Sequence, residues 1–168
     1  MTLAADVVGL LIERRLTIAV AESLTGGLLV AELVSVPGAS AVVRGGVVAY
    51  ATPLKHTLLG VDAGLLATNG AVDPEVARQM AAGVRTRLAV DGAPAAIGLA
   101  TTGVAGPDPQ DGHPVGEVWL GLALGPSPGD EARAKGLELG GDRAAIRAAT
   151  VSESLLWLRE TLRHGAPE

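Results

Sequence analysis

Residues 17–34 read Thr17-Ile18-Ala19-Val20-Ala21-Glu22-Ser23-Leu24-Thr25-Gly26-Gly27-Leu28-Leu29-Val30-Ala31-Glu32-Leu33-Val34. Thr17–Ala21 is a short apolar run with the pattern of a buried strand. Glu22–Gly27 is a polar, glycine-rich turn, and Leu28, Leu29, Leu33 and Val34 then give the next segment a helical apolar face. A buried strand that turns directly into a helix is the opening unit of an α/β sheet.

The flanking sequence extends this pattern in both directions. Leu3, Val7, Leu10 and Leu11 fall at helical spacing in a segment closed by Glu13-Arg14-Arg15. This reads as a core-facing helix rather than a signal peptide. Downstream, Pro37-Gly38 ends the second helix, and Val42–Tyr50 reads as a strand bent near Gly45-Gly46. A short helix is expected around Pro53–Leu59. Asp73-Pro74-Glu75 opens a long one, with Asp73 as N-cap, Pro74 at the first helical position and Val76, Met80, Val84 and Leu88 as its stripe. Ala95–Ala100, Gly116–Leu124 and Ala132–Leu139 read as strands, the last two joined by a hairpin-like connection at Gly125–Asp130. A final helix spans Asp142–Leu162, with Ile146, Leu155, Leu158 and Leu162 inward. Helix and strand alternate in the first half, and an antiparallel pair follows. The order predicts an α/β three-layer sandwich, a mixed central sheet with helices on both faces, in one compact domain over residues 1–168.

Composition narrows the function. The 168 residues are 48% hydrophobic and 18% charged, enough apolar material for a core and too little charge for a disordered chain. Trp119, Trp157 and Tyr50 are the only aromatic residues, so the core must be built from Ala, Val, Leu and Ile. Scarce aromatics argue against base-stacking platforms, and 13 basic against 18 acidic residues, a net charge of −5, argue against a phosphate-backbone binder. No nucleic-acid partner is expected. The absence of cysteine excludes disulfides, thiolate metal sites and a cysteine nucleophile. His56, His113 and His164 lie too far apart for a local metal-ligand spacing, so no metal site is expected. No apolar run reaches about 18 residues, so no membrane span is expected and the cytoplasm is the default location.

Three polar loops follow strands, where open α/β sheets usually bind ligands. In Glu22–Gly27 the coming helix N-terminus offers N–H groups to a phosphate or carboxylate. On local sequence the plainer reading is that Ser23 or Thr25 caps that helix and the glycines serve the turn. In Thr101–Asp108, adjacent hydroxyls precede Gly103-Val104-Ala105-Gly106-Pro107 and suit close backbone approach to a ligand oxygen, or form an ordinary glycine-rich turn. In Gly140–Arg143, a guanidinium in the first helical turn could clamp a phosphate, or Arg143 could be a surface residue behind an Asp N-cap. Between the first two loops stand Ser40, Tyr50 and Lys55. A hydroxyl nucleophile needs a base, and a desolvated lysine can serve, because burial lowers its pKa. Spacing alone leaves open whether these three meet, or whether they are a turn residue, a strand end and a surface cation.

The same segments resemble the CinA C-terminal domain family, the nicotinamide-nucleotide amidases. The matching stretches are AESLTGGLLVAELVSVPGASAVVRGGVVAY, KHTLLGV, GAVDPEVARQMAAGVR, TTGVAGP, HPVGEVWLGLA and GGDRAAIR, in order over nearly the whole chain. The resemblance implies a stand-alone amidase that hydrolyses nicotinamide mononucleotide to nicotinate mononucleotide and ammonia, without a cofactor, and that forms a homodimer. By position it implies Ser40 as nucleophile, with Tyr50 and Lys55 completing the catalytic group. It implies substrate-binding or oxyanion roles for Ser23, Thr25, Gly26, Gly27, Arg44, Thr102, Gly103, Ala105 and Arg143. Should the nucleophile lie elsewhere, Ser23 is the next choice. Leu24 stands where the family commonly has cysteine, Ala51-Thr52-Pro53 replaces a usual Ser-Asn-Glu, and Asn69 replaces a common histidine. Asp108-Pro109-Gln110-Asp111 replaces a more glycine-rich loop. A displaced Lys55 beside Thr52-Pro53 would leave a nucleotide-binding module without turnover.

Overall fold

The structure, a computed structural model, describes residues 2–125 and 131–164. Five strands, β1 (Ile18–Glu22), β2 (Val43–Val48), β3 (Ile97–Gly103), β4 (Glu117–Leu124) and β5 (Ala132–Glu138), form one sheet in the order β2-β1-β3-β4-β5. β1 pairs in parallel with β2 and β3, whereas β4 runs antiparallel to both β3 and β5. Among the described residues, six α-helices accompany them: α1 (Leu3–Arg14), α2 (Leu28–Val34), α3 (Thr52–Leu59), α4 (Ala63–Asn69), α5 (Pro74–Arg87) and α6 (Arg143–His164). The expected mixed sheet with helices on both faces is the observed architecture. The Gly125–Asp130 connection lies, beyond Gly125, outside the described residues.

The long helix α5 starts where its capping residues direct it. The Asp73 side chain accepts from the N–H groups of Glu75 and Val76 and starts α5, as expected. On one face Leu11, Val20, Leu29, Leu33, Leu99, Leu122 and Leu158 form a core with α1, α2 and α6. On the other, Ala19, Ala21, Ala100 and Ala123 pack against Leu59, Val76, Met80 and Val84 of α3 and α5. Trp119 and Trp157 are only half-buried and Tyr50 is exposed, so the interior is aliphatic. The bend expected in β2 is a register shift, with Ile18 opposite Val43 but Ala19 opposite Gly45, which leaves Arg44 as the extra residue. Helix α4 was not expected from the sequence: seven residues carrying only Leu65 and Leu66 give too short an apolar pattern. Among the described residues no helix is long and apolar enough to cross a membrane.

Helix α5 lies almost flush on the sheet because two strand positions lack side chains. A Cβ on Gly98 would stand 1.9 Å from the Ala81 carbonyl oxygen, and one on Gly121 2.0 Å from that of Ala77. Gly98→Ala should therefore push α5 off β3 and cost about 1–3 kcal/mol. The check is a lower denaturation midpoint at unchanged m-value.

Candidate active site

The strand order reverses about β1: its two parallel neighbours, β2 and β3, are added on opposite sides of it. The crevice at such a switch point opens at the carboxyl ends of the strands. A cavity of about 310 Å³ lies there, lined among others by Ser23, Tyr50, Lys55, Ala71, Thr102 and Arg143. Its walls come from segments far apart in sequence, gathered because β1, β2 and β3 end at the same edge.

Ser23 follows β1, and its N–H donates to Thr101 O at 3.0 Å, extending the β1–β3 ladder by one residue. Ala49 does the same for β2, donating to Glu22 O at 2.9 Å. The chain then turns into α3, where Lys55 occupies the first turn with no exposed surface. Lys55 Nζ lies 2.9 Å from Ser23 Oγ and 2.8 Å from Ala49 O. Among the described residues no carboxylate pairs with it, so desolvation acts unopposed and lowers its pKa from 10.5 to about 8. Pro53 fits the first turn of α3, where its missing N–H would be unpaired anyway, so Thr52-Pro53 is compatible with the helix that carries Lys55.

Ser40 is not brought to Lys55. It lies exposed in a one-turn 3-10 helix, Ala39–Ala41, ahead of β2, while Lys55 follows that strand. The six residues of β2 hold the two groups about 20 Å apart. Arg44, at the β2 register shift, also stands away from the cavity, with its Nε buried without a hydrogen-bond partner. The nucleophile–base contact implied for Ser40 is made by Ser23 instead, a residue the resemblance placed among the substrate-binding groups and the next choice as nucleophile.

The glycine turn also has a different job from the one expected. Glu22 folds its carboxylate back onto the start of α2, accepting from Gly27 and Leu29 at Oε2 and from Val30 at Oε1. A buried side chain of this protein thus already fills the anion position that the helix N-terminus offered a ligand. Gly26 (φ 58°) and Gly27 (φ 100°) supply the left-handed backbone that makes this return possible. Thr25 is fully buried, its hydroxyl 2.8 Å from that of Thr101. These three residues support the Ser23 turn from behind and do not line the cavity. Arg147 clamps the same turn, donating to the carbonyls of Leu24 and Thr25, a role the sequence reading missed.

Thr102, Gly103, Ala105 and Arg143 do reach the cavity. The Arg143 guanidinium donates to Gly106 O at 2.7 Å and to the Tyr50 hydroxyl oxygen at 2.8 Å. Tyr50 is therefore tied to Arg143 at the cavity mouth. Asp142 caps α6, accepting from Ala145 N–H, which orients Arg143 toward that mouth. Among the described residues no group of three or more His, Asp or Glu side chains is placed to hold a metal ion.

The sequence matches the profile of the CinA C-terminal domain over residues 1–162. It is 52% identical over 161 residues to a CinA-like protein of Frankia casuarinae, covering 96% of this chain and 35% of that protein. The chain spans about a third of the length of the curated relatives it matches (35%, 37% and 34%). Among solved structures, a competence-damaged protein (CinA) superfamily protein from Klebsiella pneumoniae superposes with a TM-score of 0.88 at 32% identity, covering 97% of each chain. The competence/damage inducible protein CihA from Agrobacterium tumefaciens gives 0.85 at 34% identity, covering 96% of this chain and 93% of that one.

Proposed function

The chain belongs to the CinA C-terminal domain family, and from that premise we propose that it is an amidohydrolase converting nicotinamide mononucleotide to nicotinate mononucleotide and ammonia. Ser23 is the nucleophile and Lys55 its base. The observation that carries this reading is the 2.9 Å contact between Ser23 Oγ and a fully buried lysine with a pKa of about 8.

A neutral Lys55 amine donates to Ala49 O and turns its lone pair to the Ser23 hydroxyl. It takes the hydroxyl proton as Oγ attacks the amide carbon. Backbone N–H groups of the Leu24 and Ala105 walls hold the oxyanion. The C–N bond then breaks, and the Lys55 ammonium returns its proton to the departing nitrogen, which leaves as ammonia. Water, deprotonated by the same amine, opens the Ser23 ester, frees the acid and restores both groups. Arg143, steadied by Gly106 and Tyr50, meets the phosphate at the mouth.

The test is product analysis with the full chain and nicotinamide mononucleotide, with and without added divalent metal. Ammonia and the acid should appear in equal amounts. Tight binding without product over hours would mark a nucleotide-binding module instead. Arg143→Ala should raise KM for the mononucleotide about ten- to a hundredfold and lower kcat much less, because the phosphate contact is made equally in ground and transition states. Steady-state kinetics on the two proteins checks this.

A further inference from the structure

Thr102 is the neighbour of Ser23 on the adjoining strand. Glu22 pairs with Thr101 across the β1–β3 ladder, and the ladder bond from Ser23 N–H continues that register. Ser23 and Thr102 are therefore the next pair, with strands about 4.8 Å apart. Strand alternation puts both side chains on the face covered by α3 and α5, because Ala21 and Ala100, two residues earlier on each strand, belong to the core on that face.

The Thr102 hydroxyl has a fixed polarity. Oγ1 donates its single proton to Ala71 O at 2.6 Å, and the side chain is fully buried at the cavity wall. A hydroxyl carries one proton and two lone pairs, so with the proton engaged this one has only lone pairs left for a ligand.

We propose that Thr102 Oγ1 accepts a hydrogen bond from the substrate's amide N–H, so that the site selects a primary carboxamide over the matching acid or ketone. The inference rests on the amidase reading and states how that site recognises its substrate. A carbonyl carbon placed over Ser23 Oγ has its nitrogen within reach of the adjoining strand position. An amide nitrogen brings a donor to Thr102, whereas a carboxylate brings only acceptors and meets lone pair with lone pair. Turnover thus converts a group that Thr102 holds into one that it repels, which favours product departure. A buried acceptor left unpaired also penalises any analogue lacking the N–H.

The full chain carrying Ser23→Ala, which cannot attack a bound ligand, is titrated by calorimetry with three mononucleotides: the carboxamide, the carboxylate, and the 3-acetylpyridine analogue in which a methyl group replaces the amide nitrogen. The carboxamide should bind about tenfold more tightly than the acetyl analogue. Adding Thr102→Val should erase that preference, and Thr102→Ser should keep it. If the Thr102–Ala71 bond serves structure only, the valine variant weakens all three ligands by one factor. That result, or equal affinity for carboxamide and acetyl analogue before Thr102 is changed, overturns the proposal. The second comparison stands even if the valine variant fails to fold. Wild-type turnover measured alongside separates the two readings. Ammonia release without amide preference removes the Thr102 role alone. Amide preference without ammonia release keeps the recognition and removes the chemistry. Absence of both binding and turnover removes both.

Discussion

Ser23→Ala is expected to lower kcat/KM for nicotinamide mononucleotide by about 10³-fold or more, the scale of losing a nucleophile that works as a unit with its base. Ser40→Ala should remain within about twofold of wild type, because that residue is exposed at the far end of β2. The two variants make one experiment, since they set the position implied by family resemblance against the position the geometry favours. Neither should unfold the protein. Ser40 is exposed, and after Ser23→Ala Lys55 still donates to Ala49 O. Thermal denaturation run beside the kinetics checks this. Near-wild-type turnover by Ser23→Ala together with collapse in Ser40→Ala would return the nucleophile to Ser40.

Lys55→Arg and Lys55→Met should both reduce turnover by several orders of magnitude, for different reasons. A guanidinium stays protonated at any working pH and cannot take the Ser23 proton, and methionine has no basic atom. In the wild type the acidic limb of kcat/KM should bend near pH 8, rising about tenfold per pH unit below it as the amine loses its proton. Stability carries the same signature. The folded pKa of about 8 lies below the unfolded value of 10.5, so between these values the unfolded chain binds more protons and stability rises with pH. Below about pH 8 the cost of burying the ammonium is present in full. Lys55→Met should lose this pH dependence and be at least as stable as wild type at pH 7, by chemical denaturation across pH 6–10. Substantial activity in Lys55→Arg, or an acidic limb unmoved from the carboxylate range, would end the general-base role.

Local pattern was enough for most of the elements. Buried strands, capped helix starts such as Asp73-Pro74, and glycine-rich exits are encoded within a few residues, so β1, α5 and the loops at the carboxyl ends of the strands were legible. Helix α4 escaped because seven residues with two leucines do not establish a period. The chemistry was legible in part: the absence of cysteine and of a histidine cluster removed some nucleophiles and metal sites, and the resemblance pointed to serine, tyrosine and lysine.

What the sequence by itself determined, then, was an aliphatic α/β sandwich with polar loops after its strands and a lysine able to serve as a base once buried. Which hydroxyl meets that lysine was decided by tertiary structure. Ser23 and Lys55 are 32 residues apart, and Ser23 and Thr102 become neighbours only when β1 pairs with β3. That pairing also sets the faces, turning Ser23 toward α3 and Glu22 toward α2, where its carboxylate fills the helix terminus that stood open to a ligand anion or a cap. Side-chain period is a local property of a strand. The partner strand, its register and the burial that lowers the Lys55 pKa are properties of the whole packed sheet, and no window of the sequence contains them.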